Sequence, residues 1–161
     1  MPLPRDDRRT ITAWCFYDWA NSAFTTLVVT FVYATYFTKA IAPDEVTGTA
    51  WWSRAVAITA LVVAFLGPVL GAMADQGGLR RRFLVLTTII CITTTTALTF
   101  VAPGRPHAAL TALVLVAIAN ISFELGGVFY NAFLPDIVSP EKLGRVSGYG
   151  WGLGYVGGLC C

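Results

Sequence analysis

Charge is what this chain has least of. Asp, Glu, Lys and Arg together make up 12% of its 161 residues, against roughly 25% in a soluble domain. There is one histidine, His107, and the four cysteines have no metal-ligand spacing with it. No zinc site, catalytic metal cluster or nucleophile–base pair can be assembled, so neither an enzyme nor a bound cofactor is expected. Cys15, Cys91, Cys160 and Cys161 read as membrane-buried free thiols, not as a disulfide framework. The net charge is only +2 and no basic run exceeds Arg80-Arg81-Arg82, which argues against a nucleic-acid partner.

What is present is apolar. Hydrophobic residues reach 56%, the mean hydropathy is +0.67, and the apolar residues fall into long runs at 14–37, 51–73, 83–101 and 108–133. About 20 residues at helical rise cover the ~30 Å hydrocarbon core of a bilayer, so each run is long enough to cross. Continuous apolar runs exclude the alternating strands of a barrel. The expected fold is an all-α membrane protein: a tail at 1–13, then a transmembrane half-domain at 14–161 with four complete helices. A fifth segment, 146–161, is too short for a full crossing. The chain is therefore read as the N-terminal part of a longer protein, whose missing half is one expected partner and the bilayer another.

Orientation follows from the basic residues in alternate connections. Arg5, Arg8, Arg9, Arg80, Arg81, Arg82, Lys142 and Arg145 fall on one side, and Lys39, Arg54 and Arg105 on the other. This predicts a cytoplasmic N-terminus in the cell membrane, or in a vacuolar membrane if the source is eukaryotic. Trp14, Trp19, Tyr33, Tyr36, Trp51 and Trp52 suit interfacial aromatic belts. A cleaved signal peptide is disfavoured, because the first run is too long and contains Asp18 and Asn21.

Charged residues within a span are functional candidates by default. Asp18 shares a helix face with Asn21 and Thr25, about one turn inside the first span. Glu124 lies roughly 14 Å from the inner end of the fourth, at 1.5 Å per residue, with Asn120, Gly127 and Asn131 on its face. Asp18, Asn21, Asn120, Glu124 and Asn131 are accordingly the candidates for a substrate or proton path, and a carboxyl as deep as Glu124 is the candidate proton carrier. Thr93 to Thr96 should bond back to their own helix carbonyls. In the fifth segment Gly150, Gly154 and Gly158 recur every four residues, with Gly148 and Gly152 as a second pair, a spacing that lets helix backbones approach closely in lipid.

Between the second and third spans runs G-A-M-A-D-Q-G-G-L-R-R-R, residues 71–82. Gly71, Asp75, Gly78 and the arginines resemble the signature loop of the major facilitator superfamily, with Leu79 standing where that pattern has an arginine. Y-D-W-A-N-S-A-F (17–24), F-Y-N-A-F-L-P-D-I (129–137) and G-R-V-S-G-Y-G-W-G-L-G-Y-V-G-G (144–158) resemble its vacuole-effluxer-like permeases, the autophagy-related amino-acid exporters of fungi and their bacterial relatives. The resemblance implies a twelve-helix transporter of two six-helix halves, with the first and fourth helices lining the path. It further implies a gating loop in which Gly71 lets a helix approach the missing half, Asp75 accepts hydrogen bonds there, and one of Arg80, Arg81 or Arg82 pairs with Asp136. The expected function is secondary active transport of small solutes by alternating access, with amino-acid efflux the family's suggestion. The rival reading is a small non-transporting membrane scaffold or assembly protein.

Overall fold

The computed structural model describes residues 5–76 and 78–161, with Gln76 by its backbone alone. Residues 1–4 of the expected tail and Gly77 of the loop lie outside the described residues. Among those described there is no strand. The helices are α1 (Arg8–Ala23), α2 (Val32–Tyr36), α3 (Glu45–Gln76), α4 (Arg80–Leu98), α5 (Ala108–Ala132), α6 (Leu134–Ile137) and α7 (Leu143–Leu159). Four helical stretches among them are long and apolar enough to cross a membrane: Arg8–Ile41, Glu45–Asp75, Arg80–Leu98 and Ala108–Ile137.

The first stretch is not one regular helix. After α1 the chain passes through a π-helical segment, Phe24–Thr30, then α2, then a second π-helical segment, Phe37–Ile41. Thr25, Thr26, Val28, Val29 and Thr30 are β-branched, and crowding at Cβ lowers their preference for the α-helix. Helix α1 itself starts at Arg8, before the apolar run, because Asp7 caps it by accepting from the Thr10 backbone N–H (3.0 Å) and hydroxyl (2.8 Å). Helix α3 likewise starts at Glu45 rather than Trp51. Asp44 accepts from the Thr47 N–H (2.9 Å), and Gly48 leaves room for the preceding segment, since a Cβ there would lie 2.7 Å from the Ala42 Cβ.

The chain divides into two compact units, Met1–Leu27 with Tyr130–Cys161, and Val28–Phe129. In the first, α7 lies along α1 through glycine. A Cβ on Gly150 would stand 2.5 Å from the Trp14 ring, and one on Gly157 would strike the Trp19 carbonyl oxygen. Gly148 and Gly152 face open space, so only one of the two glycine series is used for contact. Trp14 and Tyr130 stack at 4.4 Å. They also exchange hydrogen bonds: the Trp14 indole N–H donates to the Tyr130 carbonyl (3.1 Å), and the Tyr130 hydroxyl donates to the Trp14 carbonyl (3.0 Å). Trp14 is thus a buried joint and not a residue of an interfacial belt. At one end of this unit the Asp6 backbone N–H donates to the Ile137 carbonyl (2.9 Å), and the Asp6 carboxylate accepts from the Ser139 N–H (3.2 Å) and the Lys142 ammonium (2.9 Å). Lys142 and Ser139 together hold that carboxyl below the usual range.

In the second unit the core is Ala74, Leu125 and Phe129, with Leu70, Phe83 and Ile121 packed around it. Phe83 stacks on Phe129 at 5.2 Å. Trp52 is buried as well, its indole donating to the Val29 carbonyl (3.2 Å), which removes a second tryptophan from the expected belt. Thr93, Thr94 and Thr96 donate to the carbonyls of Ile89, Ile90 and Ile92, as expected of threonines in an apolar helix. Thr95 departs from that expectation, its buried hydroxyl bonding back to no helix carbonyl. The four cysteines are free, but only Cys15 and Cys91 are buried; Cys160 and Cys161 are exposed.

Candidate transport site

In the first unit Asp18 is half-buried on α1. Its carboxylate lies over the glycine face of α7, where a Cβ on Gly154 would fall 2.5 Å from Asp18 Oδ2 and 3.0 Å from Ser22 Oγ. The Ser22 hydroxyl donates to the Asp18 backbone carbonyl (2.8 Å) and the Thr25 hydroxyl to the Ser22 carbonyl (3.0 Å). These hydroxyls serve the helix backbone and leave the carboxylate to other partners. Asn21 sits one turn further on, at the point where α1 passes into the π-helical segment. Departures from the α-helix of this kind are frequent at functional sites. Asn131 and Asp136 belong to this unit too, both exposed.

In the second unit the polar residues of α5 divide into two kinds. Asn120 is buried, and its side-chain amide donates to the Thr59 hydroxyl on α3 at 2.7 Å. Thr59 is fully buried, and its hydroxyl donates in turn to the Val56 carbonyl (2.8 Å). Asn120 therefore pins two membrane helices together. The α3 half of the pair was invisible as a site because a lone threonine in an apolar run carries no signal. Glu124, one turn along, is exposed. Among the described residues the side-chain carboxylate of neither Glu124 nor Asp18 accepts a hydrogen bond or forms an ion pair.

Most of the 71–82 sequence is helix. Gly71 to Gln76 complete α3, and Arg80 to Arg82 open α4. Gly78 supplies the reversal with φ +60, and the Leu79 N–H closes the turn on the Ala74 carbonyl (3.0 Å). Asp75 therefore stands at a helix C-terminus and Arg80 at a helix N-terminus, each at the end whose dipole disfavours its charge. The two pair across the turn, Arg80 Nε to Asp75 Oδ1 at 2.6 Å. Arg80 is thus a partner of Asp75, with Leu79 filling the position before it. Arg81 is exposed. Near Gly71 the closest neighbour within the unit is Val128, 3.8 Å from a built Cβ, which is ordinary contact.

Four apolar helical stretches of membrane-crossing length are those of a multi-pass membrane protein. The chain belongs to the vacuole effluxer Atg22-like family, whose model matches residues 40–161, and with it to the major facilitator superfamily. It is 34% identical over 148 residues to the uncharacterized MFS-type transporter YxiO of Bacillus subtilis (strain 168), covering 90% of this chain and 34% of that protein. An uncharacterized protein of Aquifex aeolicus (strain VF5) is 28% identical over 155 residues, covering 96% of this chain and 37% of its own length. The chain thus spans about a third of the length of these curated relatives. No solved structure matches it significantly.

Proposed function

We propose that this chain is part of a secondary transporter that moves small solutes by alternating access, with Glu124 exchanging the coupling proton. The observation that carries this reading is the exposure of Glu124 on a 25-residue apolar helix, with no partner among the described residues. A carboxylate facing lipid costs several kcal/mol, so an exposed one on a membrane helix must face water, a solute, or another part of the transporter. A water-filled path that opens alternately to each side gives it all three in turn. Amino acids are the first solutes to test, since the permeases that 17–24, 129–137 and 144–158 resemble include amino-acid exporters. The excess of arginine and lysine at the N-terminus and at the α3–α4 turn supports a cytoplasmic location for both.

The test is Glu124→Gln in the full-length transporter, reconstituted in vesicles. Proton-driven accumulation should be abolished while solute exchange persists, because exchange needs no net change of protonation. If both survive, or both vanish in a folded protein, Glu124 is not the proton carrier.

A further inference from the structure

Near the start of α3 and α5, within the second unit, lies a groove of about 580 Å³. Its walls are apolar, formed by Ile58 on α3 and by Leu110, Leu113 and Ala117 on α5. Its only charged or titratable lining residues are Arg54 and His107. Both are exposed, and Arg54 has no ion-pair partner among the described residues. Of the two acids nearest in sequence, Asp44 is engaged in capping α3 through Thr47, and neither it nor Glu45 lines the groove.

The dimensions and the placement of charge select an occupant. From His107 to Ala117 the groove follows α5 for about 15 Å at helical rise, which is the depth of one leaflet of a ~30 Å hydrocarbon core. His107 immediately precedes α5, and its carbonyl accepts from the Thr111 N–H (2.9 Å). His107 therefore marks the end of the groove where α5 leaves the apolar region, and Ala117 the end inside it. Arg54, the tenth residue of α3, sits deeper than His107, and its long side chain can snorkel toward that end. The N-terminal dipole of α5 adds positive potential at the same end. Arg54, on an early turn of α3, presents a guanidinium that matches the geometry of a phosphate.

We propose that this groove holds one phospholipid of net negative charge. Its phosphate lies against Arg54 and His107, and an acyl chain runs down the α3–α5 groove past Leu113 to Ala117. A zwitterionic lipid would offer the same chain but carry an ammonium group into a basic mouth, so the site selects for headgroup charge.

Native mass spectrometry of the full-length transporter in detergent tests this, with phosphatidylglycerol and phosphatidylcholine of identical acyl chains titrated in parallel. Phosphatidylglycerol should be retained at least about tenfold more strongly, equivalent to ~1.4 kcal/mol. Arg54→Ala with His107→Ala should remove that preference; both side chains are exposed, so folding is not at issue. Leu113→Trp, which fills the apolar part of the groove, should weaken retention of both lipids. Equal retention of the two lipids by the native protein overturns the proposal, as does a preference that survives the double substitution. Two further results overturn it. One is displacement by glycerol phosphate as effective as by lipid, which would mean an anion site without a chain. The other is quantitative disulfide capture of Leu113→Cys by a cysteine elsewhere in the transporter, which would mean the groove is filled by protein.

Discussion

The glycines of α7 make a paired experiment, because two that look alike in sequence face different surroundings. A Cβ built on Gly157 runs into the Trp19 carbonyl oxygen and lies 2.8 Å from its carbonyl carbon and 2.9 Å from its Cα. All three obstacles are backbone atoms of α1, so no rotamer change relieves them and α7 would have to move off its partner. Overpacking of this kind costs about 1–3 kcal/mol. The alanine recovers up to ~1 kcal/mol in helix propensity, which leaves a net loss of up to ~2 kcal/mol when that recovery is complete. At Gly152 nothing lies within 4 Å of the built Cβ, so only the propensity gain remains. Gly157→Ala should therefore lower the Tm of the full-length transporter in detergent by a few degrees, while Gly152→Ala leaves it unchanged or raises it. Gly154→Ala should fall between, because its obstacles are the Asp18 carboxylate at 2.5 Å and the Ser22 hydroxyl at 3.0 Å, side-chain atoms with some freedom to turn. Equal Tm values for the Gly157 and Gly152 variants would refute the assignment of a contact face and an open face.

The hydrogen bond between Asn120 and Thr59 should show in a double-mutant cycle of Thr59→Val and Asn120→Ala, with a coupling of about 0.6–1.7 kcal/mol, the range for interhelical bonds in lipid; a coupling near zero would mean the bond does not hold α3 to α5. Asp75→Asn should change stability by less than ~1 kcal/mol, since the pair with Arg80 is largely exposed. It should still slow transport at near-normal expression, and unchanged kinetics would remove the α3–α4 turn from the gate. Asp6, whose carboxyl is held below its usual 3.8 by Lys142 and Ser139, contributes its anchoring above that value and loses it as pH falls through the lowered one. A spin label at position 5 should therefore stay immobile from neutral pH down to 3.8 and loosen only in stronger acid; loosening already at pH 6 would show that Asp6 is not the anchor.

Helix number and approximate position were legible because apolar runs of membrane length have few alternative explanations. The ends were less so. Arg8 to Ala13 and Glu45 to Ala50 are helical through the caps of Asp7 and Asp44, and a composition scan gives such caps no weight. The π-helical stretches also left no mark, since threonine and valine are ordinary residues in a membrane span. The aromatic residues illustrate a different limit. Trp14 and Trp52 occur where belts are expected, yet both are buried with their indole N–H groups bonded to distant carbonyls. Sequence position suggests depth in the membrane but not which way a ring faces. The same limit applies to the glycines, where a four-residue repeat identified Gly150, Gly154 and Gly158 but not Gly157, one position off the repeat, which makes the tightest approach.

A polar stripe on a membrane helix is ambiguous until each side chain is asked where its hydrogen bonds go. Within the bilayer an unsatisfied polar atom is costly, so residues satisfied inside the fold have a sufficient structural reason to exist. Asn120 has one in Thr59, and Asp75 has one in Arg80. Asp18 and Glu124 have none among the described residues, yet the two are not equivalent. Asp18 lies in the α1–α7 seam on Gly154, so any change in its charge or hydration acts directly on helix packing. Glu124 lies on the exposed side of α5, away from the core of Leu125 and Phe129, so its charge can change without disturbing that packing. A group that must load and release a proton in every cycle is better placed at the second position. A group that must translate its protonation into helix movement is better placed at the first. Asp18→Asn should accordingly shift the balance between conformations and alter exchange itself, whereas Glu124→Gln should spare exchange and abolish only the driven step. Identical phenotypes for the two variants would mean that this division of labour is wrong.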